Sequence, residues 1–470
     1  MLVSRYYHAK LNTMIKFEDD RLFLVECLKI PSISGDPAHQ SDVADCADFL
    51  VNYLETMGLQ TVELHKTPGH PIVYAEQCLS PDKPTILIYG HYDVQPVDPV
   101  ELWETSPFEP TEKDGYLYAR GIADNKGQFF CHLMALHSLL SETGSLPVNI
   151  KILIEGEEEI GSPNLIPFIE ANKDKLRADC ILISDNPMYG YNQPSLCVSL
   201  RGITYLELSL SCLSGDLHSG QNGGAAPNAI HELIALLSQL KDPQTGEILI
   251  PGFYDQVIPI SDDLKSSIKA LSFDEKDYLD SIGAKAVIGE TGYSVPEKLW
   301  YRPTLDINGI WGGFTEDGAK TVIPATASAK LSMRLVGDQD PIIIQEKVMR
   351  YLKDTAPDHV QLDITPHHGC YPAQLASEGP FFDAAKLALK QAFDVEPVIQ
   401  GEGGSIPIVA EFQRILGVNT VMMGLNNTDD NIHAPNERMR IENIEKGIQA
   451  SRCFLSSIKA LTASADLETS

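Results

Sequence analysis

Three apolar, strand-like runs in the first half of the chain each end in acidic or histidine residues. The runs and the residues that follow them are Thr85–Gly90 before His91 and Asp93, Ile150–Ile154 before Glu158 and Glu159, and Cys180–Ser184 before Asp185. Short apolar runs bounded by turns are typical of buried strands in an α/β sheet. Ligands gather at the carboxyl ends of such strands, so we expect these side chains at one edge of the sheet. Imidazole and carboxylate groups delivered to one edge favour a metal site over scattered surface charge.

Helical stretches alternate with these strands. Apolar residues at helical spacing predict helices over residues 17–30 and 41–58, and a buried helix over 129–140. Strand–helix–strand alternation of this kind indicates a parallel sheet covered by helices.

The hydrophobic pattern changes near residue 200. Apolar and polar residues alternate over 206–212, 325–335 and 360–364, which predicts antiparallel strands with one solvated face. Between them, Asn228 is expected to cap an apolar helix that runs to Leu240. We therefore predict a compact α+β insert over residues 199–373.

The α/β pattern resumes after the insert. The elements predicted there are a helix over 381–393, an apolar run over 421–424 and a final helix over 441–460. Two domains are expected for a chain of 470 residues. One discontinuous α/β domain, residues 1–198 and 374–470, would thus carry the insert.

Composition and charge narrow the class of protein. A formal net charge of −29 argues against nucleic acid and anionic membrane surfaces as partners. Nine cysteines, an odd number with no Cys-x-x-Cys pair, favour reduced thiols in a cytoplasmic protein. The polar stretch Met1–Lys16 has no apolar segment typical of a signal peptide, and Met14 offers an alternative start. No apolar run approaches the ~18 residues of a membrane span.

Each candidate residue also has a simpler interpretation when taken alone. Asp124 lies in a Gly-punctuated loop and is also placed to be a helix N-cap. Glu158 and Glu159 fit a solvated acidic surface, Asp185 a turn, and His433 an inert loop histidine. The interpretation as a site therefore depends on the residues acting together.

Jointly, the motifs resemble a known family. In order along the chain, they are GHYDVQPV, ARGIADNKGQ, EGEEEIGS, ISD, LRGI, DLHSG, EGGSIP and NIHAPNE. They resemble the co-catalytic dizinc metallopeptidases that include aminoacylase, carboxypeptidase G and succinyl-diaminopimelate desuccinylase. The similarity is greatest to the branch of cytosolic nonspecific dipeptidases and carnosinases, and it extends from about residue 20 to 460 with similar spacings.

The resemblance implies a fold and a metal centre. The fold would be zinc-peptidase-like, with a mixed, mostly parallel sheet flanked by helices and an inserted α+β lid and dimerisation domain. Two divalent ions per chain are implied, Zn²⁺ before Mn²⁺ or Co²⁺, and all three suit this ligand set. Asp124 would bridge both ions, His91 and Asp185 would complete one site, and Glu159 and His433 the other.

The resemblance also implies catalytic roles. Asp93 would orient His91 through its second ring nitrogen. Glu158 would be the general base that deprotonates a metal-bridging water and then passes the proton to the leaving amine. His218 of the insert would stabilise the oxyanion in the partner subunit's site, so a homodimer is expected.

Four further residues are implied to bind substrate. Arg334 would clamp the substrate carboxylate in bidentate fashion, with Ser405 on a neighbouring loop, whereas a surface strand residue is the simpler interpretation of Arg334. Thr321 and His368 match other substrate-contacting positions. The chain has Gln400-Gly401 before Glu-Gly-Gly, where mammalian dipeptidases have a basic residue, and this difference bears on substrate preference.

The implied function is hydrolysis of the amide bond of dipeptides or similar small substrates with a free carboxylate. An N-acyl amino acid deacylase or desuccinylase with the same metals is the alternative enzyme. A non-catalytic metal-binding scaffold is a third interpretation. It is disfavoured because Asp93, Glu158 and all five ligand positions are present.

Overall fold

The structure is a computed structural model that describes residues 17–271 and 273–468. The expectations about Met1–Lys16 and Met14 lie outside these residues. The chain forms two compact units. The first comprises residues up to 198, 375–400 and 411 onward, and the second comprises 199–374 and 401–410.

Helices occur in both units, and they include the six that were predicted from the sequence. In chain order they are α1 (Phe17–Leu28), α2 (Gln40–Thr56), α3 (Lys126–Thr143), α4 (Leu165–Ala171), α5 (Lys173–Leu176), α6 (Ser219–Asn222), α7 (Ala229–Leu237), α8 (Asp262–Ala270), α9 (Glu275–Ile282), α10 (Val295–Trp300), α11 (Pro341–Thr355), α12 (Pro380–Phe393), α13 (Pro407–Leu416) and α14 (Ile441–Glu468). Short 3₁₀ turns span Pro37–His39, Val100–Leu102 and Glu158–Ile160.

Strands make up the remaining regular structure. In chain order they are β1 (Thr61–His65), β2 (Ile72–Gln77), β3 (Thr85–His91), β4 (Thr111–Lys113), β5 (Tyr116–Tyr118), β6 (Asn149–Glu155), β7 (Cys180–Ile183), β8 (Ser195–Leu200), β9 (Gly202–Ser211), β10 (Leu217–His218), β11 (Thr304–Gly312), β12 (Val322–Ile323), β13 (Thr326–Leu335), β14 (Gln361–Pro366), β15 (Ala373–Gln374), β16 (Val398–Glu402), β17 (Thr420–Gly424) and β18 (Arg438–Arg440).

The first unit contains a mixed sheet in the order β1-β2-β6-β3-β7-β17-β8. The central strands β6, β3, β7 and β17 pair in parallel, whereas β1, β2 and β8 pair antiparallel to their neighbours. β6 and β7 are buried along their whole length, as expected for strands covered on both faces. The predicted mixed α/β fold is confirmed, and the parallel pairing is confined to the centre of the sheet.

The helix α3 is the main buried helix of the first unit. Residues from Lys126 to Leu139 are buried on all sides of the helix, which explains why its sequence is apolar all round rather than amphipathic. It packs against α1, α14 and β3. A Cβ at Gly90 would lie 2.6 Å from the Phe129 Cβ, so a glycine is needed where β3 passes α3 so closely.

The second unit contains an antiparallel sheet in the order β11-β13-β9-β14. Leu206, Leu208 and Leu210 of β9 lie in its core with Ala329 and Leu331 of β13. The alternation in the sequence therefore predicted the buried face correctly.

The capped helix of the second unit begins where it was predicted. The Asn228 side chain accepts hydrogen bonds from the amides of Ile230 and His231. The helix ends at Leu237 rather than Leu240, because the chain turns there toward the isolated bridge that pairs Lys241 with Ile248.

A small sheet of β18, β5 and β4 was not predicted. Its strands have three residues each, too few for a periodic pattern. The pairing of β18 with β5 places the chain that follows His433 beside the chain that precedes Arg120.

No helix in the described part of the chain combines the length and the apolar character needed to cross a bilayer.

Candidate metal centre

Three strands of the first unit deliver side chains to one sheet edge. β3 ends at His91, the 3₁₀ turn Glu158–Ile160 follows β6, and Asp185 lies two residues beyond β7. Since β3 pairs in parallel with both β6 and β7, these three strand ends lie side by side. The juxtaposition expected from the apolar runs is therefore present.

Asp124 lies between two imidazoles. Its Oδ1 is 3.1 Å from the Nε2 of His91, and its Oδ2 is 2.8 Å from the Nε2 of His433. The N-cap of α3 is Asn125, so the simpler interpretation of Asp124 as the helix cap is wrong. Each carboxylate oxygen of Asp124 thus faces a different histidine.

A second carboxylate lies beside each histidine. Asp185 Oδ1 is 3.8 Å from His91 Nε2, and Glu159 Oε2 is 3.3 Å from His433 Nε2. The side chains form two groups that share Asp124, one with His91 and Asp185 and one with His433 and Glu159.

The residues fit a metal ion. Donor atoms of His91, Asp124 and Glu159 all lie within 4.8 Å of one another. Ligands of a tetrahedral ion bound at about 2.1 Å lie about 3.4 Å apart, and the contacts above bracket that spacing. Within the described residues, the buried His91 Nε2 and Glu159 Oε1 make no hydrogen bond. Buried polar atoms normally have partners, so both atoms are suited to a cation.

The protonation of the cluster reflects its excess of carboxylates. Burial raises the pKa of Asp185 and of Glu159, and the charge of Asp124 adds to both shifts. Burial also opposes ionisation of Asp124, but the adjacent imidazoles of His433 and His91 outweigh it and lower the pKa of Asp124. Hydrogen bonds to Asp124 and Glu159 raise the pKa of His433 to about 10. A bound cation would supply the missing positive charge and release these protons.

Asp93 holds the turn that carries the two glutamates. Its Oδ1 accepts a hydrogen bond from the Glu158 amide at 3.2 Å, and its Oδ2 accepts one from the Glu159 amide at 3.0 Å. Nδ1 of His91 is 3.1 Å from the Asp93 carbonyl oxygen, to which it is hydrogen-bonded, and 3.4 Å from the same Oδ1, while its other ring nitrogen faces Asp124. Asp93 is fully buried. It therefore links the orientation of the imidazole to the position of Glu158.

Glu158 is a carboxylate whose ionisation is opposed by its surroundings. Burial raises the pKa of Glu158 well above its ordinary value, and the charges of Asp185, Asp124 and Glu159 add to this against an opposing effect of His91. A carboxyl group with a raised pKa accepts protons readily near neutral pH.

Three supporting residues were missed from the sequence. Asn125 donates to Asp185 Oδ1 at 2.7 Å, and Gln95 donates to Glu159 Oε2 at 2.8 Å. Glu437 accepts hydrogen bonds from the loop that ends in Asp124. Single residues such as these follow no hydrophobic period that would reveal them. The sequence indicated them only by their positions inside three of the motifs, ARGIADNKGQ for Asn125, GHYDVQPV for Gln95 and NIHAPNE for Glu437.

Arg334 and Ser405 both lie in the second unit. The Arg334 Nη1 donates a hydrogen bond to the Ser405 Oγ at 2.7 Å. A Cβ at Gly401 would lie 2.6 Å from both Ser199 Oγ and Trp300 Cβ, so no larger residue fits there. The tight packing explains physically why this chain lacks a basic side chain at Gly401.

His218 and Thr321 are also brought together in the second unit. β10, which ends at His218, pairs with β12, and the Ser219 amide donates to the Thr321 carbonyl at 3.1 Å. The exposed His218 accepts a hydrogen bond at Nδ1 from the Gly220 amide, which leaves Nε2 as its donor nitrogen. His368 is exposed two residues beyond β14.

Comparisons with known proteins agree with the motifs. The model for Peptidase family M20/M25/M40 matches residues 87–457. Human Beta-Ala-His dipeptidase is 35% identical over 392 residues, which span 82% of this chain and 77% of the relative. Cys-Gly metallodipeptidase dug1 of Schizosaccharomyces pombe is 31% identical over 441 residues, 91% of this chain and 92% of the relative.

A solved structure shows the same fold at a similar level of identity. The M20 family metallo-carboxypeptidase from Sulfolobus solfataricus has a TM-score of 0.83 and 34% identity, and the match covers 94% of this chain and 99% of that one. The resemblance inferred from the motifs is thereby confirmed. The chain belongs to peptidase family M20/M25/M40 and is a hydrolase of the metallopeptidase class.

Proposed function

We propose that this metallopeptidase hydrolyses the amide bond of dipeptides, or of similar small substrates with a free carboxylate, at a centre of two metal ions. The observation that carries the proposal is the position of Asp124, with one oxygen facing His91 and the other His433. The names of relatives that cover most of the chain support a dipeptide substrate over an N-acyl amino acid.

The proposed ligands divide between two ions that share the Asp124 carboxylate. His91 and Asp185 would hold one ion, and Glu159 and His433 the other. We favour Zn²⁺, with Mn²⁺ and Co²⁺ as alternatives that suit the same imidazole and carboxylate donors. When bound, such ions polarise the scissile carbonyl and lower the pKa of water.

Glu158 acts as the general base and then as the general acid in this proposal. It accepts a proton from the attacking water and delivers that proton to the leaving amine. Its partly buried position and raised pKa suit it to both transfers. Asp93 keeps it in place through the backbone of the Glu158–Ile160 turn.

Residues of the second unit are proposed to bind the substrate. The guanidinium of Arg334 pairs with the free carboxylate, and Ser405, already hydrogen-bonded to it, adds a second donor. Thr321 and His368 are proposed as further contacts. His218 would donate from Nε2 to the oxyanion that develops on the substrate carbonyl.

A homodimer is part of the proposal, with each His218 serving the partner subunit's site. The edge strand β11 exposes Ile307, Ile310 and Trp311 by 49%, 51% and 45%, and α7 of the same unit exposes Ile234 by 51%. Apolar residues on an unpaired sheet edge favour a protein partner. The described part of the chain contains no disulfide among its cysteines, which supports our proposal of a cytoplasmic enzyme.

A substrate panel tests the proposed activity. Metal-depleted protein is reconstituted with Zn²⁺, Mn²⁺ or Co²⁺ and assayed on free dipeptides, matched N-acyl amino acids and longer peptides. We expect release of free amino acids from dipeptides, with a higher kcat/KM than for the acylated compounds. Preference for N-acyl substrates would favour the deacylase, and no hydrolysis with any metal would leave the non-catalytic scaffold.

The role of Arg334 is tested by the variant Arg334→Lys. Lysine retains the charge but loses the two-pronged geometry, so KM should rise for dipeptides and change less for their C-terminal amides. Arg302→Lys is the matched control, because Arg302 is bound to Glu290 in the same unit. Equal losses on acid and amide would contradict carboxylate recognition by Arg334.

The arrangement in trans is tested by subunit mixing. His218→Ala and Glu158→Gln, each inactive alone, are combined under conditions that permit exchange. A mixed dimer has one site with intact Glu158 and His218, so activity should return to at most about half of the sites. Verified exchange without recovery, or a fully active monomer, would refute the arrangement.

A further inference from the structure

The Glu437 carboxylate is a buried acceptor for the loop that ends in Asp124. It is fully buried and lies four residues beyond His433. Its hydrogen bonds are from Arg120 Nη1 at 2.7 Å and Gly121 N at 2.9 Å to Oε2, and from Ala123 N at 2.8 Å and Asp124 N at 3.1 Å to Oε1. Four donors thus converge on two oxygens, and all four belong to one five-residue segment.

The main chain of Glu437 is tied to the same segment. Its carbonyl accepts a hydrogen bond from the Ala119 amide at 3.2 Å, and the following strand β18 pairs with β5. Arg120, which is also buried, donates from Nη2 to the Pro96 carbonyl at 2.9 Å and lies over the Trp103 ring. The Glu437 carboxylate is therefore paired with the charge of Arg120 and accepts four hydrogen bonds without any metal ion.

We propose that Glu437 is a positioning residue of the metal centre, which sets the place of Asp124 relative to His433. Asp124 is fixed through its own amide, and His433 belongs to the loop that ends at Glu437. The inference rests on the proposed metal centre. It adds to that centre a residue that is not itself a ligand, because both carboxylate oxygens of Glu437 accept hydrogen bonds from residues 120–124.

Glu437→Gln is a sharp test, because glutamine has nearly the same size. Each oxygen of Glu437 accepts two N–H donors, so the amide group of glutamine would face two donors in either orientation. The loop must then move. Loss of residues that orient metal ligands typically lowers metal affinity by about 10–100-fold, and we expect a loss of this size for Zn²⁺ and for Mn²⁺.

The measurement is metal affinity by competition with a chromogenic chelator, with metal content determined by mass spectrometry. Glu290→Gln is the matched control, since Glu290 pairs with Arg302 through two contacts of 2.8 and 2.5 Å in the second unit. This variant should retain wild-type affinity. Thermal unfolding of both metal-free variants shows how far each is destabilised.

A second variant covers the case in which Glu437→Gln does not fold. Arg120→Lys keeps the charge beside Glu437 but loses part of the guanidinium's contacts, and it should lower metal affinity to a smaller extent. Unchanged affinity in folded Glu437→Gln, or in Arg120→Lys if the first variant is unfolded, would overturn the inference. If the wild-type protein itself binds no metal, the proposed metal centre fails instead.

Discussion

Replacement of Asp93 by alanine should weaken both the fold and the metal centre. The fully buried carboxylate accepts the amides of Glu158 at 3.2 Å and Glu159 at 3.0 Å, and alanine removes both acceptors. Each buried donor left unpaired costs about 1–3 kcal/mol, so we expect a fall of about 2–6 kcal/mol in the free energy of unfolding. The backbone carbonyl of residue 93 still bonds His91 in the variant, but loss of the carboxylate 3.4 Å from Nδ1 and of the anchor of the Glu159 turn should also lower metal affinity, by up to about 10–100-fold.

Two measurements are needed to separate these effects. Denaturant unfolding of metal-free protein gives the stability change, and chelator competition well below the unfolding transition gives the metal affinity. Asp242→Ala is the matched control, because Asp242 also accepts two backbone amides, from Gln244 at 2.7 Å and Thr245 at 2.8 Å. Solvent reaches that turn and can replace the lost acceptor, so Asp242→Ala should be milder and should not alter metal binding.

Two results for Asp93→Ala would contradict the prediction. A variant as stable as the wild type would show that water replaces Asp93 as the acceptor for the two amides, so that these hydrogen bonds do not contribute to the free energy of unfolding. A variant that is destabilised but binds metal normally would restrict Asp93 to a structural role and remove it from the orientation of His91.

Three further predictions concern the centre and its surroundings. Glu158→Gln should retain its metal ions, but its kcat should fall by a factor of about 10²–10⁴. A near-wild-type kcat, or a variant without metal, would contradict the role of Glu158 as the general base. Asp124→Ala should reduce metal content at both sites and lower thermal stability in the presence of metal, since bound ligand stabilises the folded state; two ions retained per chain would show that Asp124 is not the bridge. Burial lowers the pKa of His132 to about 3, so the folded protein keeps it neutral, and its contribution to stability, complete above pH 6.5, is lost as the pH falls toward 3. Between pH 7.5 and 5 this loss is about 2 kcal/mol, and denaturant unfolding of His132→Gln should show a smaller pH-dependent fall than the wild type rather than an equal one.

The elements that were predicted well are those with long, regular patterns. The apolar runs became β3, β6 and β7 within one or two residues, and the helical spacing became α1, α2 and α3. Such segments are recognisable because burial of a helix or strand face imposes its own period on the sequence. The three-residue strands β4, β5 and β18 are too short to show a hydrophobic period. They pair because the tertiary structure brings their flanking segments together.

The sequence by itself determined the chemistry available to this protein, because motif order and residue type identify the family and the candidate ligands. Which of those groups meet was decided by the tertiary structure. Parallel pairing brings His91 beside Asp185, and folding brings His433 to the second oxygen of Asp124 across more than 300 positions of sequence. The carboxylate of Glu437, ordinary in the sequence, becomes the acceptor for a whole loop. Distances and burial arise from long-range packing, and no local pattern encodes them.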